Sequence, residues 1–290
     1  MSSRANAAEA ELRTCAAQLA ARGSIETSSP AAGHAREIAA LLPAGTRVYV
    51  PHLPRHALEA SLPLVEEIRA AGLDPVPHIA ARRIASAAEV ETFLGRARVS
   101  RVLVIGGDEP KPVGPYADAA ALLREGNLAA AGVREVGISG YPEGHPAIPS
   151  DVLERAFEDK LALAAAQGLR AHVVTQFSFN AAAIVGYCET LARRDPKLPV
   201  RVGLAGPTEP MALLRFAKRC GVSASLRTLR AQGLGMAKLI AHTDPGQELL
   251  ALARHCTGRA ECNVAGVHLF GFGGAARSAA WMQKAAAGRT

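Results

Sequence analysis

The chain has 290 residues, 49% of them hydrophobic but only 4% aromatic, and a formal charge of +7. Such a length buries a large aliphatic core and suits one α/β barrel or two smaller domains. The basic excess favours anionic ligands, but no run of five Lys or Arg occurs and no aromatics interleave with them, which argues against nucleic acid as a partner.

Residues 1–22 are amphipathic and carry Glu9 and Glu11. They lack the apolar core of a signal peptide and read as an N-terminal helical extension. No stretch reaches the roughly 18 uncharged apolar residues needed to span a bilayer, so no membrane partner is expected. The five cysteines are Cys15, Cys188, Cys220, Cys256 and Cys262, with no CxxC pair and no histidines at zinc-ligand spacing. An odd, scattered set reads as reduced thiols in a cytoplasmic protein without a metal site.

Beyond the extension, β-branched apolar runs alternate with Ala/Leu/Glu/Arg-rich segments of helical period. Strands are predicted at 24–26, 46–50, 74–78, 101–106, 134–139, 171–176, 200–205 and 265–270. Helices are predicted at about 34–42, 58–71, 86–97, 116–125, 149–167, 180–194, 209–220 and 275–286, with an extra helical stretch at about 232–257. Strand–helix alternation means parallel crossovers. Eight such units match a (β/α)8 TIM barrel spanning 1–290 as a single domain. A split near 142–150 would leave the second half only three strands.

In a barrel, chemistry gathers at the carboxyl ends of the strands. Polar residues fall there: Glu26, His52, His78, Asp108, Tyr141, His145 and Gln176. Gly23-Ser24-Ile25-Glu26 ends a strand in a carboxyl beside an apolar neighbour, where a raised pKa suits a proton donor, or is simply a charged residue where the first strand leaves the barrel. Val104-Ile105-Gly106-Gly107-Asp108-Glu109-Pro110 lets backbone approach a flat or phosphorylated ligand, although Gly-Gly-Asp is also an ordinary turn. Gly140-Tyr141-Pro142-Glu143-Gly144-His145-Pro146 is a stiff loop with ligand-type groups, or a rigid surface loop. Val173-Val174-Thr175-Gln176-Phe177-Ser178-Phe179-Asn180 ends a strand in an amide that donates and accepts, as a pterin or flavin edge requires, or as a barrel layer would use it.

Together these elements resemble the methylenetetrahydrofolate reductase family over most of the chain. The family sets an acid on the first strand, Gly-Asp after the fourth, Tyr-Pro-Glu-x-His-Pro after the fifth and Thr-Gln-Phe-x-Phe at the sixth. A helix after the seventh reads here Arg215-Phe216-Ala217-Lys218-Arg219-Cys220-Gly221-Val222. The resemblance implies a reductase that converts 5,10-methylenetetrahydrofolate to 5-methyltetrahydrofolate, or the reverse, with NAD(P)H as co-substrate and bound FAD. It assigns Glu26 as the acid that opens the folate ring, Asp108 as the acid beside the pterin and Gln176 as the amide contacting folate and nicotinamide. Phe216 is the stacking aromatic, and His78, Gly107, Asp108, Tyr116, Ala117, Tyr141, His145 and Lys160 line the flavin. A homo-oligomer is compatible with all of this.

Departures from the family are specific. Thr27-Ser28-Ser29-Pro30 replaces a fuller aromatic run, Gly106 stands where Arg is usual, and Gly271-Phe272-Gly273-Gly274 replaces a folate-contacting segment. Glu158 and Asp159 precede Lys160, and acids beside a pyrophosphate are unfavourable unless turned away. On a helix they lie about 200° and 100° from Lys160, so at least one can face solvent while Lys160 faces inward. Two alternatives follow: a flavin-independent reductase with direct hydride transfer, and a non-catalytic folate-binding partner of a methyltransferase or demethylase.

Overall fold

The computed structural model describes residues 2–27, 33–219, 244–259 and 261–289. Its strands are β1 (Ser24–Glu26), β2 (Arg47–Val50), β3 (Asp74–Ala80), β4 (Arg101–Ile105), β5 (Glu135–Gly140), β6 (Arg170–Thr175), β7 (Val200–Ala205) and β8 (Val264–Phe270). They form a closed parallel barrel in sequence order, so the fold is the expected (β/α)8 type. The helices are α1 (Ser2–Ala21), α2 (His34–Ala39), α3 (Leu62–Ala70), α4 (Ala87–Ala97), α5 (Ala119–Glu125), α6 (Ser150–Ala166), α7 (Ala181–Arg194), α8 (Pro210–Arg219), α9 (Gly246–Cys256) and α10 (Ala275–Ala286). Of the extra stretch predicted at 232–257, α9 is the described part. Residues 232–243, and Cys220, Gly221 and Val222 of the helix motif, lie outside the described residues.

The chain divides into two compact units, each built from more than one segment. One comprises the described residues of Met1–Ile25, Tyr141–Ala147 and Thr175–Thr290; the other comprises those of Glu26–Gly140 and Ile148–Val174.

In the Glu26-containing unit, β2 to β5 pair in register, with Arg47 opposite Asp74 and Arg101 opposite Glu135. β3 runs two residues past His78, because Ile79 and Ala80 continue the ladder against Val104 and Ile105. Helices start at side-chain caps: Ser86 accepts from the Glu89 amide and Asp118 from that of Ala121. α4 buries Val90, Phe93, Leu94 and Ala97, which share one face at helical spacing. Each fully buried large side chain among them contributes about 1.5–3 kcal/mol.

The first residues of β2, β3, β4 and β5 are all charged, and they form an ionic cluster. Arg47 grips Glu135 with both nitrogens, at 2.6 and 3.2 Å; Arg101 bridges Glu135 at 3.1 Å and Asp74 at 2.9 Å. These are strand amino ends, which in a barrel serve stability rather than chemistry.

In the other unit, α1 lies against α9, α10 and β8. It buries Leu12, Ala16, Leu19 and Ala20, a single stripe at three- and four-residue spacing. Gly203 of β7 has no room for a side chain, since a Cβ would stand 2.1 Å from the Thr175 carbonyl oxygen. Its amide instead donates to Thr175 Oγ1 at 2.8 Å.

The cysteines require a correction. Cys256 and Cys262 are joined by a disulfide, their Cα atoms 5.4 Å apart. α9 ends at Cys256 and Gly258, at φ 70°, turns the chain back, so a six-residue spacing falls within bridging distance. Cys15 and Cys188 are free, and Cys220 lies outside the described residues. The redox argument for a cytoplasmic protein therefore lapses. No helix among the described residues is long and apolar enough to cross a membrane.

Candidate functional site

Glu26 closes β1, and His78 sits in β3 with its ring buried. Glu26 Oε2 lies 3.6 Å from His78 Nε2. Burial pushes the Glu26 carboxyl above its ordinary range, and the neighbouring imidazole only partly opposes that rise. A carboxyl whose pKa is raised by burial, beside a second group able to exchange protons, is the equipment of a general acid.

Deeper among the same strands stands a polar chain that the sequence did not reveal. The Tyr49 hydroxyl is 2.8 Å from His172 Nε2, and His172 Nδ1 is 2.9 Å from Glu135 Oε1. Tyr49 packs in an apolar cluster with Val76, Leu103 and Val174. The His172 and Arg47 contacts outweigh burial and hold Glu135 well below the usual carboxylate range. Tyr49 also meets His78 edge-on, ring centroids 5.9 Å apart.

The loop after β4 places the remaining residues of this unit. Gly107 adopts φ 91°, which suits glycine. Asp108 projects outward, its side chain 94% exposed and 3.8 Å from Arg83. Glu109, not Asp108, takes the close contact with Arg83, at 2.5 Å. Arg82 donates to the carbonyls of Glu109, Pro110 and Ala117 at 2.6, 2.7 and 2.9 Å, so the Ala117 carbonyl is engaged within the loop. Tyr116 is completely buried, and its hydroxyl has no hydrogen-bond partner among the described residues. Lys160 of α6 is 9% exposed, and burial pushes its ammonium down, against the pull of Asp118. Glu158 and Asp159 are exposed, as the helical geometry allows. His52 is structural: its Nδ1 accepts the Ala80 amide and its Nε2 donates to the His56 carbonyl.

In the other unit, Tyr141 and His145 follow β5 and meet edge-on at 5.4 Å. The Gly144 amide donates to the Tyr141 carbonyl, and His145 Nδ1 accepts from the Ala147 amide. β6 ends at Thr175, one residue before Gln176, whose Oε1 accepts the Phe177 amide at 3.1 Å. Phe216 stacks on Phe272 at 4.3 Å and 16°. Phe272 in turn contacts Phe177 and Phe270, and Phe177 contacts Phe179. Five of the seven phenylalanines thus gather in one cluster, partly supplied by the Gly271-Phe272-Gly273-Gly274 segment that departs from the family pattern. Their concentration at the ends of β6 and β8, in a chain so poor in aromatics, was the available signal. His268, hydrogen-bonded to Ser24 at 2.9 Å, was also missed; burial pushes it down to about 3.

No family model matches the chain. Among solved structures, a dihydropteroate synthase from Thermus thermophilus is similar at 15% identity and a TM-score of 0.44, over 88% of each chain. At that distance the likeness says nothing about activity.

Proposed function

We propose that the protein is a methylenetetrahydrofolate reductase-type oxidoreductase, using NAD(P)H to reduce a folate-bound one-carbon unit. The Glu26–His78 pair carries this reading. It sets a half-buried carboxyl of raised pKa at the carboxyl end of β1, where the family resemblance requires the acid. The chemistry needs one proton and one hydride. The Glu26 proton goes to folate N10 as the N10–methylene bond breaks, leaving an iminium at N5. Hydride from the nicotinamide forms the new C–H bond, and the iminium electron pair returns to N5. Asp108 would face the cation electrostatically.

The residues assigned to FAD in the Glu26-containing unit do not fit a pyrophosphate. The Ala117 carbonyl is held by Arg82, Tyr116 is enclosed, and Lys160 is buried on α6, which packs against α5; the neighbouring cations Arg82 and Arg83 are themselves engaged by loop carbonyls and Glu109. No step is therefore routed through a flavin. Direct hydride transfer from the nicotinamide is the form of the reaction these observations favour.

The test is an assay of NAD(P)H oxidation dependent on 5,10-methylenetetrahydrofolate, with a visible spectrum of the purified protein. Turnover by a colourless protein is expected. Folate binding without NAD(P)H oxidation would replace the enzyme with the accessory-barrel alternative.

A further inference from the structure

The Glu135–His172–Tyr49 chain is unused by the reaction as written, yet it is built against a desolvation penalty. A Phe at 49 and a Leu at 172 would fill much the same volume without burying a hydroxyl and an imidazole. Position along the strands is the first clue. Glu135 is the first residue of β5, His172 the third of β6, Tyr49 the third of β2, His78 the fifth of β3 and Glu26 the last of β1. The series climbs from the amino ends, where the ionic cluster sits, to the acid.

Hydrogen-bond direction is the second. An ionised Glu135 lies 2.9 Å from His172 Nδ1 and favours the tautomer protonated there. In the neutral ring Nε2 then accepts, and the Tyr49 hydroxyl donates to it at 2.8 Å. The third clue is Gly137 of β5. A Cβ there would stand 3.0 Å from His172 Nε2, so the backbone leaves the space that the imidazole needs.

We propose that Glu135, His172 and Tyr49 are positioning residues for the Glu26–His78 pair. The ionic cluster fixes Glu135, the carboxylate fixes the tautomer and plane of His172, and His172 pins the phenol. The pinned phenol ring holds His78 edge-on, with its Nε2 toward Glu26. The chain touches no reacting atom; it sets the direction of a group that does. Only the kinetic consequence rests on Glu26 being the proton donor proposed above.

The experiment compares full-length wild type with Tyr49→Phe, His172→Gln and His172→Leu by imidazole nitrogen–proton correlation spectra and by kinetics. Tyr49→Phe should shift the His172 Nε2 signal and also shift or broaden those of His78. It should lower kcat at least about tenfold, equivalent to about 1.4 kcal/mol in the barrier, with KM for methylenetetrahydrofolate within about twofold. His172→Gln keeps a donor and an acceptor, and it should recover part of what His172→Leu loses. Val90→Ala, a core truncation on α4, should lower stability while leaving the His78 signals and kcat in place. His78 signals unchanged in Tyr49→Phe, or moved equally by Val90→Ala, would overturn the proposal. If wild type shows no reductase activity, the functional reading falls, and the His78 spectra still decide the positioning chain.

Discussion

Glu26 and His78 face one another across 3.6 Å, carboxylate Oε2 to imidazole Nε2, in a part of the barrel that water scarcely reaches. Because burial raises the Glu26 pKa, the acid form persists to a higher pH than in an exposed glutamate. Folate reduction should therefore decline as pH rises through that raised value. Glu26→Gln should abolish reduction while folate still binds. The stability sign is the opposite of an ordinary ion pair: ionising Glu26 is penalised in the folded state, so stability falls as pH climbs from the unfolded to the folded pKa. The glutamine variant should lose that dependence. A variant that keeps full activity removes Glu26 from proton donation.

Asp108 offers a cleaner separation of binding from folding. Its carboxylate is 94% exposed and makes only a long 3.8 Å contact with Arg83. Asp108→Asn should change stability by no more than about 0.5 kcal/mol. It should still slow reduction at least about tenfold, or about 1.4 kcal/mol, if the charge faces the iminium in the complex. Equal rates for the two proteins would leave Asp108 an ordinary turn residue.

The contrast between these sites tracks what was legible in the sequence. The strands could be read because runs such as Val102 to Ile105 are apolar and β-branched, and periodicity located the helices within a few residues. Glu26 could be placed at the end of the first strand, beside Ile25, but its role rests on the family resemblance. The ionic cluster could not be read. Arg47, Asp74, Arg101 and Glu135 are single charges far apart in the chain, and only barrel register brings them together. Tyr49 and His172 were hidden differently, inside the segments Arg47–Val50 and Arg170–Thr175, where they pass as ordinary strand residues. The disulfide escaped because its six-residue spacing depends on the turn at Gly258.

That cluster supports a pH prediction with a definite sign. Glu135 is held low by His172 and Arg47 against the cost of burial, so the stability it supplies is full above the ordinary glutamate pKa. It is lost as pH falls toward the depressed folded value. Glu135→Ala should cost about 3 kcal/mol at neutral pH, because it leaves Arg47, Arg101 and His172 without their shared anion. Urea denaturation at pH 7 and pH 4 measures both. A variant gap that does not narrow at pH 4 would contradict the electrostatic account.

Joining Cys256 to Cys262 closes a short loop, and loop closure of that length contributes about 2 kcal/mol. Reduction by dithiothreitol should lower the unfolding midpoint by several degrees and raise the intact mass by about 2 Da, two hydrogens per bridge. A mass unaffected by reductant would show that the pair is not bridged in the isolated protein.

Lys160 is where the family pattern and the structure diverge most. If it held a flavin pyrophosphate, its ammonium would need to be open to the ligand and strongly cationic. Instead it is 9% exposed on α6, with burial lowering its pKa and Asp118 as its opposing charge. A lysine depressed in the folded state imposes a penalty at neutral pH, because charging it in the fold is harder than charging it in the unfolded chain. Lys160→Met keeps most of the length of the side chain and removes the charge. It should therefore be neutral or stabilising, by up to about 1–2 kcal/mol, as when other buried charges are replaced by apolar groups. Reduction of methylenetetrahydrofolate by NAD(P)H should keep its KM values within about twofold. The opposite pattern is a yellow wild type that loses its colour and its turnover in Lys160→Met. It would return Lys160 to the pyrophosphate and make the reaction flavin-dependent.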